Sequence, residues 1–378
     1  MWEKMSIHRA PESGTRHRLF PEPWISLFFT GLLAAGAGLR LVYCFLPPPT
    51  TTDLIRNLGY GQAFPSYGLL LYDMTPSDLA PSPCQFFWEN HHYSYPPAAL
   101  MLFAAIAALS TALPVAKLIL TLFDALGAWA MWKYTGDRWI ALLYWLNPIS
   151  VWFSSREGQF EGFVVLWAVM ALLALKHKKA YALGLLGIAV QTKFFPALLL
   201  PYFLQNLPWR EPRRLAASLA WGVCSLAPSF FAYLFGGYPQ HLLEANYVPD
   251  INPISWFIGD PTRYGDFPAG LIYAHMAVSL AFEFYCLYGM RRTRTVWPWL
   301  TPFLFVFLVH TSTLAQFWYL IFLPALCLLV EEKNPRRILF LGCAGMGPLS
   351  LCSIFLGPTG YRNPPDVMIV INKIFWGF

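Results

Sequence analysis

Charge is what this chain has least of. Only 12% of its 378 residues are Asp, Glu, Lys or Arg, against about 25% in soluble globular domains. That is too little to cover a water-exposed surface of this size. Cysteine is sparse and scattered. Six of the seven (Cys44, Cys224, Cys286, Cys327, Cys343, Cys352) fall in apolar segments and only Cys84 in a polar one. A disulfide framework of the loops and a CxxC-type metal spacing are both excluded. The GxxxxGK[ST] phosphate loop, the GxSxG elbow and the HExxH helix are absent, as are internal repeats and low-complexity tracts. What is abundant is apolar: 57% hydrophobic and 17% aromatic residues, which rules out intrinsic disorder. The composition predicts an all-α polytopic membrane protein.

The few charges are ordered along the chain. The polar segment 46–93 holds Asp53, Arg56, Asp73, Asp78 and Glu89, and the segment 236–269 holds Glu244, Asp250, Asp260, Arg263 and Asp266, so each has one Arg against four acids. Basic residues gather instead in short connections: Lys176 to Lys179, Arg210 with Arg213 and Arg214, Arg291 to Arg294, and Lys333 with Arg336 and Arg337. The positive-inside rule puts these clusters in the cytoplasm and the acidic segments outside.

Residues 1–23 read as a basic cytoplasmic tail, and the run 24–45 as a retained first span, too long for a signal-peptide core. Spans follow at about 118–131, 140–151, 162–175, 181–193, 194–206, 215–235, 269–289, 296–311, 314–330 and 337–356, for a total of about eleven. Alternation leaves 96–113 with both ends outside, which predicts a re-entrant or membrane-surface segment. Residues 24–378 are expected to form one multi-span domain, with a catalytic half over 24–206 and a variable half over 207–378.

Without a soluble domain, chemistry must lie in outer segments and at helix ends. Asp53, just beyond the first span, suits a general base for a hydroxyl, although from position alone a loop acid or the cap of a following helix is the better reading. Tyr93-Ser94-Tyr95-Pro96-Pro97 reads as a rigid helix entry. Asn147-Pro148, followed by Ser154-Ser155-Arg156-Glu157-Gly158-Gln159-Phe160-Glu161, puts ionisable groups at membrane depth, where they are costly. Arg156 offers bidentate donors to a phosphate, or closes a helical hairpin by pairing with Glu. Lys193, before Phe194-Phe195-Pro196, holds a lipid phosphate or snorkels. Asp124 lies inside a span, where a structural hydrogen bond is the alternative role. His91 and His92 have no third ligand at metal spacing.

In their order these residues resemble the GT-C superfamily of integral-membrane glycosyltransferases, in particular the PIG-M-type mannosyltransferases of glycosylphosphatidylinositol assembly and related prenyl-phosphate-mannose enzymes. The likeness covers about residues 50–205. It runs from an acid in the first outer loop through Tyr93 to Pro97, Asp124-Ala125-Leu126, Trp145-Leu146-Asn147-Pro148, Ser154-Ser155-Arg156, Lys178-Lys179 and Lys193-Phe194-Phe195-Pro196.

The resemblance implies a GT-C-like helical bundle with a long first outer loop. It implies transfer of a sugar, mannose first among candidates, from a polyprenyl- or dolichyl-phosphate donor to an acceptor hydroxyl of a glycan or glycolipid, with inversion. Asp53 would be the catalytic acid, and Arg156 and Lys193 the donor-phosphate ligands. Arg56, Tyr95, Pro96, Asp124, Gln159, Glu161, His91 and His92 would line the pocket. PIG-M-type enzymes carry two acids one residue apart in that loop, whereas Asp53 is followed by Leu54 and Ile55. A single base without a required metal or other cofactor is therefore expected, and nucleic acid is not an expected partner. A multi-pass protein of a bacterial plasma membrane is favoured over one of the endoplasmic reticulum. The rival function is a transporter or lipid-linked-sugar flippase, which the lack of repeats disfavours.

Overall fold

The computed structural model describes residues 22–47, 52–79, 92–93, 95–236, 281, 285, 288–289, 321–329, 336–338 and 340–343. Every regular element among them is helical. Helix α1, Glu22–Phe45, is stopped by Pro47 and the prolines after it, which cannot continue a helix. The acidic segment beyond is not an extended loop. It folds as α2, Thr52–Tyr67, with Asp53 in its first turn, and then as 3₁₀ turns at Gly68–Asp73 and Pro76–Asp78. Leu54, Leu58, Tyr60, Leu71 and Tyr72 are buried, because α2 lays its apolar face on α3, Pro97–Leu109.

Helix α4, Leu113–Thr135, and α5, Arg138–Trp145, are joined by a turn in which the Asp137 side chain accepts from the Trp139 N–H at 3.1 Å. The span expected over 140–151 is not one helix. It breaks at Leu146-Asn147, where Asn147 caps the short α6, Pro148–Ser150, and continues as a π-helical stretch, Val151–Glu157. Pro148 has no N–H to continue the first ladder, and π-helical turns are frequent at functional sites. Helices α7, Glu161–Lys176, and α8, Ala182–Val190, follow; then a 3₁₀ turn at Phe195–Leu199, α9, Leu200–Gln205, and α10, Pro212–Gly236. Leu323–Cys327 forms α11, which touches α7. The core stacks α4 on α7, α7 on α8, and α8 on α10, with α1 lying across α4 and the π-helical stretch.

Three helices, Ser26–Phe45, Leu113–Thr135 and Pro212–Gly236, are long and apolar enough to cross a bilayer, and the chain is a membrane protein. Most of the sequence expected to span beyond residue 236 lies outside the described residues, as do Cys84 and His91. The described helices share two ends. At one, Arg138 packs on Phe29, Arg337 pairs with Asp137 at 2.6 Å, and Arg214 donates to the Lys178 carbonyl at 2.6 Å. At the other, Lys117 donates to the Leu46 carbonyl at 2.7 Å, and the N–H of Ala98 to the Gln191 carbonyl at 3.0 Å.

Candidate active site

Four segments meet at this second end: the first turn of α2, the entry to α3, the turn before α7 and the end of α8. The sequence between the π-helical stretch and α7 makes that meeting sharp. Gly158 takes φ +76°, and a Cβ there would come within 2.5 Å of Leu54, so only glycine lets the turn close on α2. Gln159 is thereby carried over Asp53, and its Nε2 donates to Asp53 Oδ2 at 3.3 Å. From within α2, Arg56 pairs with the other carboxylate oxygen at 3.2 Å.

Behind this pair lies a second one. Lys193 is salt-bridged to Glu161, both side chains buried. The Lys193 ammonium sits 4.7 Å from the Phe160 ring centroid and 5.2 Å from that of Tyr95, and Arg56 lies 5.6 Å over the same Tyr95 ring. Each cation is held against an aromatic face that favours charge. Pro96 is buried before the first turn of α3. Tyr93 packs among Tyr60, Tyr72 and Tyr95 with ring centroids 4.8–5.8 Å apart. Its burial pushes the phenol up, against the opposing pull of Arg56.

The carboxylates of this region differ in one respect. Asp124, Glu157 and Glu161 are buried, with Asp124 wholly so, whereas the Asp53 side chain keeps 16% of its surface exposed.

Asp124 belongs to an adjoining network deeper in the bundle. Arg40 donates to its Oδ2 at 2.8 Å, Ser150 to the same oxygen at 3.0 Å, and Tyr144 to Oδ1 at 2.8 Å. The guanidinium also donates to Ser150 Oγ at 2.7 Å, Ser155 Oγ at 3.2 Å and the Trp145 carbonyl at 3.0 Å, and stacks 4.3 Å from the Trp145 ring centroid. Buried charges survive only when paired and hydrogen-bonded in this way. The two networks adjoin at Gly162, where a Cβ would overlap the Asp124 carboxylate.

Arg156 stands apart from the Asp53–Lys193 cluster. It is half-buried, 5.9 Å from the Trp152 ring, and its Nε has no hydrogen-bond partner among the described residues. Its charge and that of Glu157 act on Lys117. His92 is not part of the cluster: its charge acts on Asp78, whose carboxyl the Thr75 hydrogen bonds hold below its usual range. Among the described residues no three His, Cys, Asp or Glu side chains converge as a metal site.

The structure thus brings Asp53, Arg56, Tyr95, Gln159, Glu161 and Lys193 together, and sets Asp124 and Arg156 beside them. Sequence reasoning missed Phe160, Lys117 and Arg40. Arg40 had a signal: it is the only charged residue in 26–45, and intramembrane charge marks a site by default. Phe160 had none, because one more aromatic in an aromatic-rich chain carries no information.

The family model of glycosyltransferase family 87 matches residues 93–316, more than half of the chain. No curated protein and no solved structure matches it. The matched stretch holds Asp124, Arg156, Gln159, Glu161 and Lys193, while Asp53 and Arg56 precede it.

Proposed function

Because the chain belongs to glycosyltransferase family 87, a GT-C-type family of membrane glycosyltransferases, we propose that it moves a sugar, mannose first, from a polyprenyl- or dolichyl-phosphate to an acceptor hydroxyl of a glycan or glycolipid on the extracytoplasmic face. The observation that carries this reading is the partial exposure of Asp53 in a surround of cations. Of the two acids paired with Arg56 and Lys193, Asp53 and Glu161, Asp53 is the more exposed, its side chain 16% accessible.

In this reading the acceptor hydroxyl approaches Asp53 within about 2.6–3.2 Å, the reach of general-base catalysis. As its oxygen bonds to the anomeric carbon, its proton passes to the Asp53 carboxylate. The bond from the anomeric carbon to the phosphate oxygen breaks on the opposite face, which inverts the configuration. The electron pair leaves with the lipid phosphate. Arg56 on one oxygen and Gln159 on the other fix the carboxylate, and the second lone pair of an oxygen so held accepts the proton. Arg156, with a free Nε, and Lys193 receive the growing phosphate charge, Lys193 exchanging Glu161 for the donor. The leaving group is already a phosphate, so neither a nucleotide element nor a metal is required.

The two ends of the bundle support the sidedness. The end rich in Lys and Arg faces the cytoplasm, as the N-terminal end of α1 does, and the Asp53 end faces out. A bacterial plasma membrane is the setting we favour.

Binding of a polyprenyl-phosphate-mannose to the purified chain tests this function. Arg156→Ala and Lys193→Met/Glu161→Gln should each weaken binding about tenfold or more, the scale of one charge-assisted hydrogen bond. Unchanged affinity in both, or no binding of any prenyl-phosphate sugar by wild type, refutes the assignment.

A further inference from the structure

At the end of the bundle away from Asp53, α7, α8, α9 and α10 enclose a cavity of about 210 Å³. That is roughly seven times the ~30 Å³ a water occupies in the liquid, room for a phosphodiester and its flanking carbons. Its lining holds three bases, Lys178, Lys179 and Arg214, one acid, Glu211, and the polar Asn206 and Ser218. Arg214 is already engaged, donating to Glu211 at 2.7 Å and to the Lys178 carbonyl at 2.6 Å. The two lysines are exposed, and neither forms an ion pair with a carboxylate among the described residues. The rest of the lining is apolar, Leu183 and Phe203 among it.

Lys178 is held there against its own backbone preference. Helix α7 ends in a Schellman turn, with the Lys178 N–H on the Leu175 carbonyl at 2.8 Å and the Lys179 N–H on the Ala174 carbonyl at 2.9 Å. The residue at the left-handed position is normally glycine. Here it is Lys178, at φ +55°, the one non-glycine residue with positive φ among the described residues. Backbone strain of this kind persists only where the surrounding structure holds it, and it clusters at ligand-binding sites.

The cavity also lies at the membrane boundary. Helix α10 is a bilayer-length apolar helix that begins at Pro212; exposed Trp209 comes three residues before it and exposed Tyr181 lies between the lining residues Ala180 and Ala182, the kind of aromatic found at headgroup level. We infer that this cavity binds the phosphodiester headgroup of an anionic phospholipid, Lys178 and Lys179 holding the phosphate and the apolar wall receiving the glycerol side. The site is separate from the transfer site and does not depend on how that site is read.

The test is native mass spectrometry of the purified full chain with equal amounts of a phosphatidylglycerol and a phosphatidylcholine of the same acyl chains. Preferential retention of phosphatidylglycerol is expected. Each basic side chain near a headgroup is worth about fivefold in affinity, so Lys178→Gly/Lys179→Ala should weaken the tightest-bound phosphatidylglycerol about thirtyfold. Lys133→Ala, a charge removed at the same end outside the cavity, should leave it within about twofold. Lys179→Ala alone, a surface change, should cost about fivefold should the double variant not fold. Millimolar inorganic phosphate should not displace the lipid. Equal retention of the two lipids, an unchanged double variant, an equal loss in Lys133→Ala, or displacement by inorganic phosphate each overturns the inference, the last by showing a free-phosphate site.

Discussion

Replacing Arg40 by methionine tests whether the buried polar layer holds the site in place. The change keeps most of the side-chain volume but leaves the Asp124 carboxylate with two neutral donors, Tyr144 and Ser150, and no counter-charge. The Trp145 carbonyl and Ser155 also lose the donor that Arg40 supplies. Removing one partner of a buried ion pair costs about 3–5 kcal/mol. At about 2 °C per kcal/mol, the lower end for chains of 150–250 residues, the unfolding midpoint should fall by roughly 6–10 °C. Removing both charges in Arg40→Met/Asp124→Leu leaves neutral orphans only, so the double variant should melt above the single one. Arg40→Lys restores the charge but not the fork that reaches Ser150 and the Trp145 carbonyl, and should fall between. The assay is thermal unfolding in one detergent of five proteins side by side: wild type, Arg40→Met, Asp124→Leu, the double variant and Arg40→Lys. A double variant whose midpoint falls by as much as the falls of Arg40→Met and Asp124→Leu added together would refute the claim that Arg40 and Asp124 stabilise each other.

Other expectations follow from the same geometry. Lys193→Met alone strands the buried Glu161 and should destabilise by about 3–5 kcal/mol, most of it recovered by adding Glu161→Gln; thermal unfolding reads both. Gly162→Ala drives a methyl into the Asp124 carboxylate and should cost about 1–3 kcal/mol, whereas Gly31→Ala, with open space around it, should be neutral or stabilising by the same assay. Lys178→Gly relieves the left-handed backbone and should stabilise the chain by about 1 kcal/mol, visible as a raised unfolding midpoint while phosphatidylglycerol binding falls. Gln159→Leu should leave folding near wild type and lower kcat more than KM, since Gln159 orients Asp53.

Much of this was legible from the chain itself. Long apolar runs named α1, α4 and α10, because hydropathy alone sets bilayer length. The cluster of Asp53, Arg56, Tyr95, Gln159, Glu161 and Lys193 was legible because charged and aromatic residues are conspicuous where charge is scarce. Three features were not. The segment after α1 looked like a loop by its acids, yet folds as α2, because burial of Tyr60 and Leu58 against α3 outweighs a weak apolar pattern. The span over 140–151 looked continuous, since hydropathy does not register the break at Asn147-Pro148. That Asp124 takes Arg40 as its partner, 84 residues away in sequence, depends on which helices pack, and periodicity does not encode that.

The central claim is that Asp53 takes the acceptor proton, and one comparison meets it directly. Wild type and Asp53→Asn, equally folded by unfolding midpoint and equally able to bind a polyprenyl-phosphate-mannose, are assayed side by side for transfer of labelled sugar to acceptor, with and without a chelator. The account predicts a loss of about 100-fold or more in the variant, the usual scale of a general base, and no effect of the chelator on wild type. Transfer by Asp53→Asn at near the wild-type rate would contradict it.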